Sequence, residues 1–186
     1  MVSTNKPAKR NSVSRWPSST ILKGIRLFAT DVDGVLTDAG MYYSESGDEW
    51  KKFNTRDGMG IKLLQKAGLI TAIVTQERTR LVARRAEKLA IPELHQGVMD
   101  KLSVIRDMAT RYGISLRQVA YIGDDVNDIE ALKAVGLSAA PADGLPQVLD
   151  IVDYRCRQKG GEGAVRELAE MILLSRSEAN TTKRKR

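Results

Sequence analysis

The chain has 186 residues, 42% of them apolar, with a net charge of +7 and a single cysteine. That length and apolar content suit one domain with a substantial core, while a lone cysteine rules out an intrachain disulfide and fits a reducing cytoplasm. No apolar run reaches the ~20 residues of a membrane helix, and the basic, Ser-rich N-terminus lacks the apolar centre of a secretory signal.

The positive charge is concentrated at the ends. Residues 1–26 hold six Lys or Arg and no acid, residues 176–186 hold five and one, and the chain between them is left at −3. A basic fold would suggest a nucleic-acid partner, but basic fringes on a mildly acidic body read first as solvated tails. A non-catalytic domain with RNA-binding tails is kept as the rival from another functional class. Residues 1–24 are expected to be a flexible lead with Trp16 as its one docking candidate, residues 25–175 the domain, and residues 176–186 a basic tail. His95 is the sole histidine, so no His-based triad or multi-histidine metal site can be built within one chain.

In chain order, an apolar strand ending at Thr30 runs into Asp31-Val32-Asp33-Gly34. Side chains two apart on a strand share a face, so both carboxylates can border one small volume. Their repulsion is tolerable if a cation joins them or one keeps its proton, and either arrangement is chemically useful. Gly40–Tyr43 and Glu49–Phe53, around a Ser-Glu-Ser-Gly-Asp turn, read as a β-hairpin exposing Tyr42, Tyr43, Trp50 and Phe53. Residues 57–67 have helical spacing, Leu69–Val74 is a buried strand, and a helix covers Arg78–Leu89. Then follow a short strand at Leu94–Gln96, a helix over 99–112, and a strand at Val119–Ile122. The remaining elements are a helix at Val126–Ala134, a strand at Leu137–Ala140, a short helix at Leu145–Leu149, an edge strand at Ile151–Tyr154 and a last helix at Ala164–Leu174. This alternation predicts an α/β fold with a doubly wound, mostly parallel sheet, whose ligands lie beyond the strand carboxyl ends. Asp31, Thr75 and Asp124 all fall at such ends.

Asp31-Val32-Asp33, then Thr75, then Lys101, then Gly123-Asp124-Asp125-Val126-Asn127-Asp128 reproduce in order the four motifs of the haloacid dehalogenase superfamily, which the chain resembles. The resemblance implies a Rossmann-like phosphatase fold with Asp31 as nucleophile, Asp33 as acid and base, and Thr75 and Lys101 on the phosphoryl group. It also implies Mg²⁺ held by Asp31, the backbone carbonyl of Asp33 and Asp124, with Asp125 and Asp128 orienting metal-bound water or Lys101. The intervals that hold a cap domain in many members are short here, leaving a hairpin flap and no cap, so another surface has to close the site. Within the superfamily, Phe53-Asn54-Thr55-Arg56-Asp57-Gly58, Asp100-Lys101-Leu102 and Gly160-Gly161-Glu162-Gly163 resemble capless phosphatases of 3-deoxy-2-ulosonic acids, of eight or of nine carbons. Such members are typically tetramers in which a neighbour covers the active site. Thr75-Gln76-Glu77 departs from the Thr-Gly-Arg of the eight-carbon enzymes, and Glu77 looks more like the nine-carbon group. A sugar acid phosphate also needs donors for its carboxylate, for which Arg56, Arg85, Lys88 and Arg166 are the candidates, with Glu77 accepting from hydroxyls or fixing a cation. A flexible Gly160–Gly163 segment is expected to deliver backbone N–H groups and Arg166, from its own or a neighbouring chain. A generalist sugar-phosphate or nucleotide phosphatase is the second enzymatic reading.

Overall fold

The computed structural model describes residues 16–183. Its strands are β1 (Leu27–Thr30), β2 (Tyr42–Tyr43), β3 (Glu49–Trp50), β4 (Ile70–Val74), β5 (Glu93–His95), β6 (Val119–Ile122), β7 (Leu137–Ala140) and β8 (Tyr154–Arg155). The helices are α1 (Ser19–Gly24), α2 (Thr55–Lys66), α3 (Arg80–Leu89), α4 (Lys101–Arg111), α5 (Ile129–Ala134), α6 (Pro146–Leu149) and α7 (Ala164–Lys183). Six strands form one sheet in the order β5-β4-β1-β6-β7-β8, with every neighbouring pair parallel. The chain builds outward from β1 through β4 to β5, then crosses back to β6. The strand order therefore reverses between β1 and β6, and the crevice outside their carboxyl ends is where such a sheet binds ligands.

Strands β1, β6 and β7 are buried along their whole length, which is why they read as continuous apolar runs and not as alternating ones. Phe28, Ile73 and Ile122 enter the layer built by Leu22, Ile61, Val82 and Leu168. Leu27, Ala29, Val74 and Tyr121 face the other way, onto Ile105, Met108, Leu132 and Val148. Side-chain caps fix where the helices begin: Asn54 accepts from the Arg56 amide at 2.8 Å, Thr79 from Leu81 at 2.9 Å and Asp100 from Ser103 at 2.9 Å. The last of these makes Lys101 the first residue of α4.

Both ends of the domain depart from expectation. Helix α1 lies inside the stretch read as a flexible lead, and α7 runs to Lys183, beyond the expected stop at Leu174. The two support each other: Leu22 is buried in the layer that contains Leu168 and Met171, and the Arg176 guanidinium donates to the Ile25 carbonyl at 2.6 Å. No Gly or Pro interrupts the chain after Leu174, so nothing local stops the helix. Trp16 is half exposed and does dock, its ring centroid 6.3 Å from that of Tyr154. The rest of the expected tails, residues 1–15 and 184–186, lies outside the described residues. Among the described residues no helix is long and apolar enough to cross a membrane.

The hairpin forms as expected, pairing Tyr42 with Trp50 and Tyr43 with Glu49. Tyr42, Tyr43 and Trp50 are exposed, but Phe53 is not: it packs against the core, with the Arg85 guanidinium 5.4 Å over its ring. The residue leaves the hairpin toward α2, so its side chain turns inward.

Candidate active site

The site is assembled at the β1/β6 switch point. The Asp31 amide donates to the Ile122 carbonyl at 3.0 Å, which carries the β1–β6 ladder one residue past the strand and fixes the first aspartate above the sheet edge. The chain then coils tightly, with the amides of Val35, Leu36 and Thr37 all aimed at the Val32 carbonyl at 2.8 to 3.2 Å. Gly34 holds this turn at φ +79.

Lys101 is buried and bridges two carboxylates, 2.8 Å from Asp31 Oδ2 and 2.7 Å from Asp128 Oδ1. Burial pulls its pKa down, but the charges of Asp31 and Asp128 outweigh this and leave it raised, so the ammonium is retained. Asp128 is itself saturated. Its Oδ1 also accepts from the Tyr121 hydroxyl at 2.5 Å, and its Oδ2 accepts the amides of Asp124 and Asp125 at 3.0 and 3.2 Å. Thus Asp128 both orients Lys101 and holds the acidic loop in shape. Asp125 turns to cap the 3-10 turn Val126–Asp128, accepting from the Val126 amide at 2.5 Å.

Carboxylate oxygens of Asp31, Asp124 and Asp128 come within 4.8 Å of one another. With Asp128 taken up by four donors, Asp31 and Asp124 are the pair with capacity for a hard divalent cation. Asp124 Oδ1 is buried without a hydrogen-bond partner, an acceptor whose satisfaction such an ion would supply. The electrostatics agree. Burial, then the Asp128 charge, push the Asp31 carboxyl up to about 7 despite Lys101, and burial, then Asp31, Asp128 and Asp125, push Asp124 up to about 8. Two carboxyls displaced so far by burial and mutual repulsion fit a site that expects a positive ion.

An open cleft of about 420 Å³ lies over these groups, lined by Asp31, Asp33, Thr75, Glu77, Asp124 and Asn127 among others. Thr75 is buried at the end of β4, its amide bonded to the His95 carbonyl at 2.9 Å, which leaves its hydroxyl at the cleft wall. Two further groups close the rim: Asn127 donates to the Gln76 side-chain oxygen at 3.0 Å, so the Gln that stands where relatives were expected to have Gly ties the β4 loop to the acidic loop.

A family model described as haloacid dehalogenase-like hydrolase matches residues 87–168. The chain is 44% identical over 151 residues to the 3-deoxy-D-manno-octulosonate 8-phosphate phosphatase of Yersinia pestis, covering 81% of each. It belongs to this family of haloacid dehalogenase-like phosphatases. The Escherichia coli K12 enzyme of the same name is 40% identical over 161 residues, covering 87% of this chain and 86% of the relative. Among solved structures, the Moraxella catarrhalis enzyme, in complex with magnesium, phosphate and KDO, superposes with a TM-score of 0.84 at 37% identity, covering 90% of this chain and 96% of that one.

Within one chain, this phosphatase gathers Asp31, Asp33, Thr75, Glu77, Asp124 and Asp125 at the cleft, with Lys101 and Asp128 beneath. The other sequence-chosen residues lie elsewhere. Arg56 and Arg166 border a separate groove of about 370 Å³ beside α7, where Arg166 pairs with Glu170 at 2.7 Å. Arg85 donates to the Asn54 carbonyl at 2.8 Å while lying over the Phe53 ring, and Lys88 stands exposed in the last turn of α3. The Gly160–Gly163 loop is not a flexible donor loop: the Gly161 amide donates to the Val35 carbonyl at 3.0 Å, Asn54 donates to the Gly161 carbonyl at 3.0 Å, and a β-carbon on Gly160 would collide with the Gly34 carbonyl. It buttresses the turn after Asp31 from behind. Sequence reasoning missed Lys51 and Tyr121, which reach the site from a hairpin and from a strand interior. Neither carries a local signal, since a strand Tyr reads as core and a hairpin Lys as solvated.

Proposed function

We propose that the chain is a magnesium-dependent phosphomonoesterase that releases phosphate from 3-deoxy-D-manno-octulosonate 8-phosphate through an aspartyl phosphate on Asp31. The reading is carried by the Asp31–Lys101–Asp128 chain at the switch point, in a protein 44% identical to an enzyme of that name. Mg²⁺ would be held by Asp31, Asp124 and the Asp33 backbone carbonyl, and its charge would offset that of a phosphate dianion. Asp31, pinned by Lys101, attacks phosphorus in line, so that a carboxylate oxygen–phosphorus bond forms as the bond from phosphorus to the sugar oxygen breaks. Asp33 gives that oxygen a proton. It then takes one from the water that displaces Asp31 and releases phosphate. Thr75 and Lys101 donate to the phosphoryl oxygens, and Asp125 and Asp128 hold the loop and the lysine in place.

The sugar carboxylate needs basic or backbone donors, and among the described residues the cations at this cleft, Lys51 and Lys101, are already paired with acids. Arg56 and Arg166 on the α7 edge, with Lys88 on α3, are proposed to serve a neighbouring chain's cleft, whereas Arg85 is engaged within its own chain by the Asn54 carbonyl and Phe53. The exposed Met41, Tyr42, Tyr43 and Trp50 support an oligomer, most simply a tetramer, in which the hairpin meets a second copy. We place the activity in the cytoplasm, which the unpaired, buried Cys156 suits. A nine-carbon sialic-type 9-phosphate is the second reading, favoured by Glu77 at the cleft where the eight-carbon enzymes were expected to have Arg. Phosphate release from both sugar acid phosphates, from simple sugar phosphates and from nucleotides, with and without Mg²⁺, tests the reading. A preference of at least about tenfold in kcat/KM for the eight-carbon substrate supports it, and equal rates across the panel would mark a generalist.

A further inference from the structure

Lys51 follows β3 directly and reaches the cleft with its side chain fully covered. Its ammonium nitrogen lies 2.5 Å from Asp33 Oδ1 and also bonds the Glu77 carboxylate. The same Asp33 oxygen lies 3.4 Å from the Thr37 hydroxyl, and the Met41 sulfur is 3.9 Å from the lysine nitrogen. A buried ammonium is costly unless it is paired, and here both of its anionic partners belong to the cleft wall. The site thus holds two cations with separate duties: Lys101 serves Asp31 and Asp128, and Lys51 serves Asp33 and Glu77. A third of the Asp33 side-chain surface is exposed, so its own turn does not hold the carboxylate by packing. The lysine supplies the missing restraint from an element 18 residues away.

We propose that Lys51 is a positioning residue for proton transfer, holding the Asp33 carboxyl group through Oδ1 so that its other oxygen, which carries the proton to be given, faces the departing ester oxygen. This rests on the reading of Asp33 as the proton donor. It predicts a particular dependence on substrate. An alkoxide is a poor leaving group and needs the Asp33 proton as it departs, whereas p-nitrophenolate leaves without one. The quotient kcat/KM covers only the steps up to leaving-group departure, so later attack by water does not enter it.

The experiment compares kcat/KM for an alkyl phosphate, such as the sugar acid phosphate, with that for p-nitrophenyl phosphate in Lys51→Met, Lys51→Gln, Lys51→Arg and Asp33→Asn. The expected result is a loss of roughly 10- to 100-fold on the alkyl phosphate in Lys51→Met, under about threefold on p-nitrophenyl phosphate, and substantial recovery in Lys51→Arg. Lys51→Gln carries the same comparison should the Met variant not fold. Equal losses on both substrates, or none on either, would overturn the proposal while Asp33→Asn still shows the selective loss. If Asp33→Asn itself lacks the selectivity, the reading of Asp33 fails first, and the two failures are thereby told apart.

Discussion

A β-carbon on Gly34 would overlap the carboxylate of Asp124. The glycine lies in the turn after β1 and the aspartate in the loop after β6, and the carboxylate sits where a side chain would stand. Gly34 also holds φ +79, so two independent constraints exclude any other residue. Gly34→Ala should therefore displace Asp124 and cut magnesium-dependent phosphate release by more than about 100-fold, since misplacement on the scale of 1 Å costs that much. A magnesium titration of phosphate release checks it, with the midpoint shifting upward in the variant.

Asp57 caps a helix from a distant part of the chain. It is fully buried in α2 and accepts the Arg166 amide in the first turn of α7 at 2.8 Å, with the Gly163 and Val165 amides nearby favouring its charge. Asp57→Ala should lower unfolding free energy by about 1–2 kcal/mol, because it leaves the Arg166 amide at the helix start without its acceptor. Asp57→Asn, which keeps one acceptor oxygen, should lose less. Urea denaturation with an unchanged slope is the measurement, and a change below about 0.5 kcal/mol in Asp57→Ala would remove the capping role.

Arg85 donates to the Asn54 carbonyl and covers Phe53, and it is the charge that opposes the buried Asp57. Arg85→Ala should cost about 1–2 kcal/mol of stability and change kcat/KM for the sugar acid phosphate and for p-nitrophenyl phosphate by the same factor. A rise in KM confined to the sugar acid phosphate would instead assign Arg85 to substrate, through the neighbouring chain's cleft.

Without metal, stability should fall as pH rises. Burial and mutual repulsion raise Asp31 to about 7 and Asp124 to about 8 in the folded chain, against an ordinary carboxylate value of 3.8. Between these limits the folded state binds more protons than the unfolded one, so the stabilisation present at pH 4 is lost progressively toward pH 8. Magnesium reverses the sign by favouring the ionised pair. The melting temperature should therefore rise more on adding Mg²⁺ at pH 8 than at pH 5, and an equal rise at both would contradict the assignment of Asp31 and Asp124 as ligands.

The sequence alone determined the sheet and the chemical centre of this protein. Continuous apolar runs such as Leu27–Thr30 and Val119–Ile122 can be buried only between two helical layers, and the polar residues that end them must then share one edge. Asp31, Thr75 and Asp124 were legible for that reason, and Lys101 through its place in the motif order of the superfamily the chain resembles. The hairpin followed from strand alternation about a Gly-containing turn. What only the tertiary structure decided are the contacts between segments far apart in the chain. Helix α1 and α7 pack on each other and meet at Arg176, Asp57 finds the Arg166 amide 109 residues away, and Lys51 arrives at Asp33 from the hairpin. Arg56 and Arg166 went instead to a groove along α7, away from the cleft. A buried ion pair or a trans cap leaves no periodicity in the sequence, because each group's desolvation is offset only by the partner it meets, and which two meet is fixed only when the layers close.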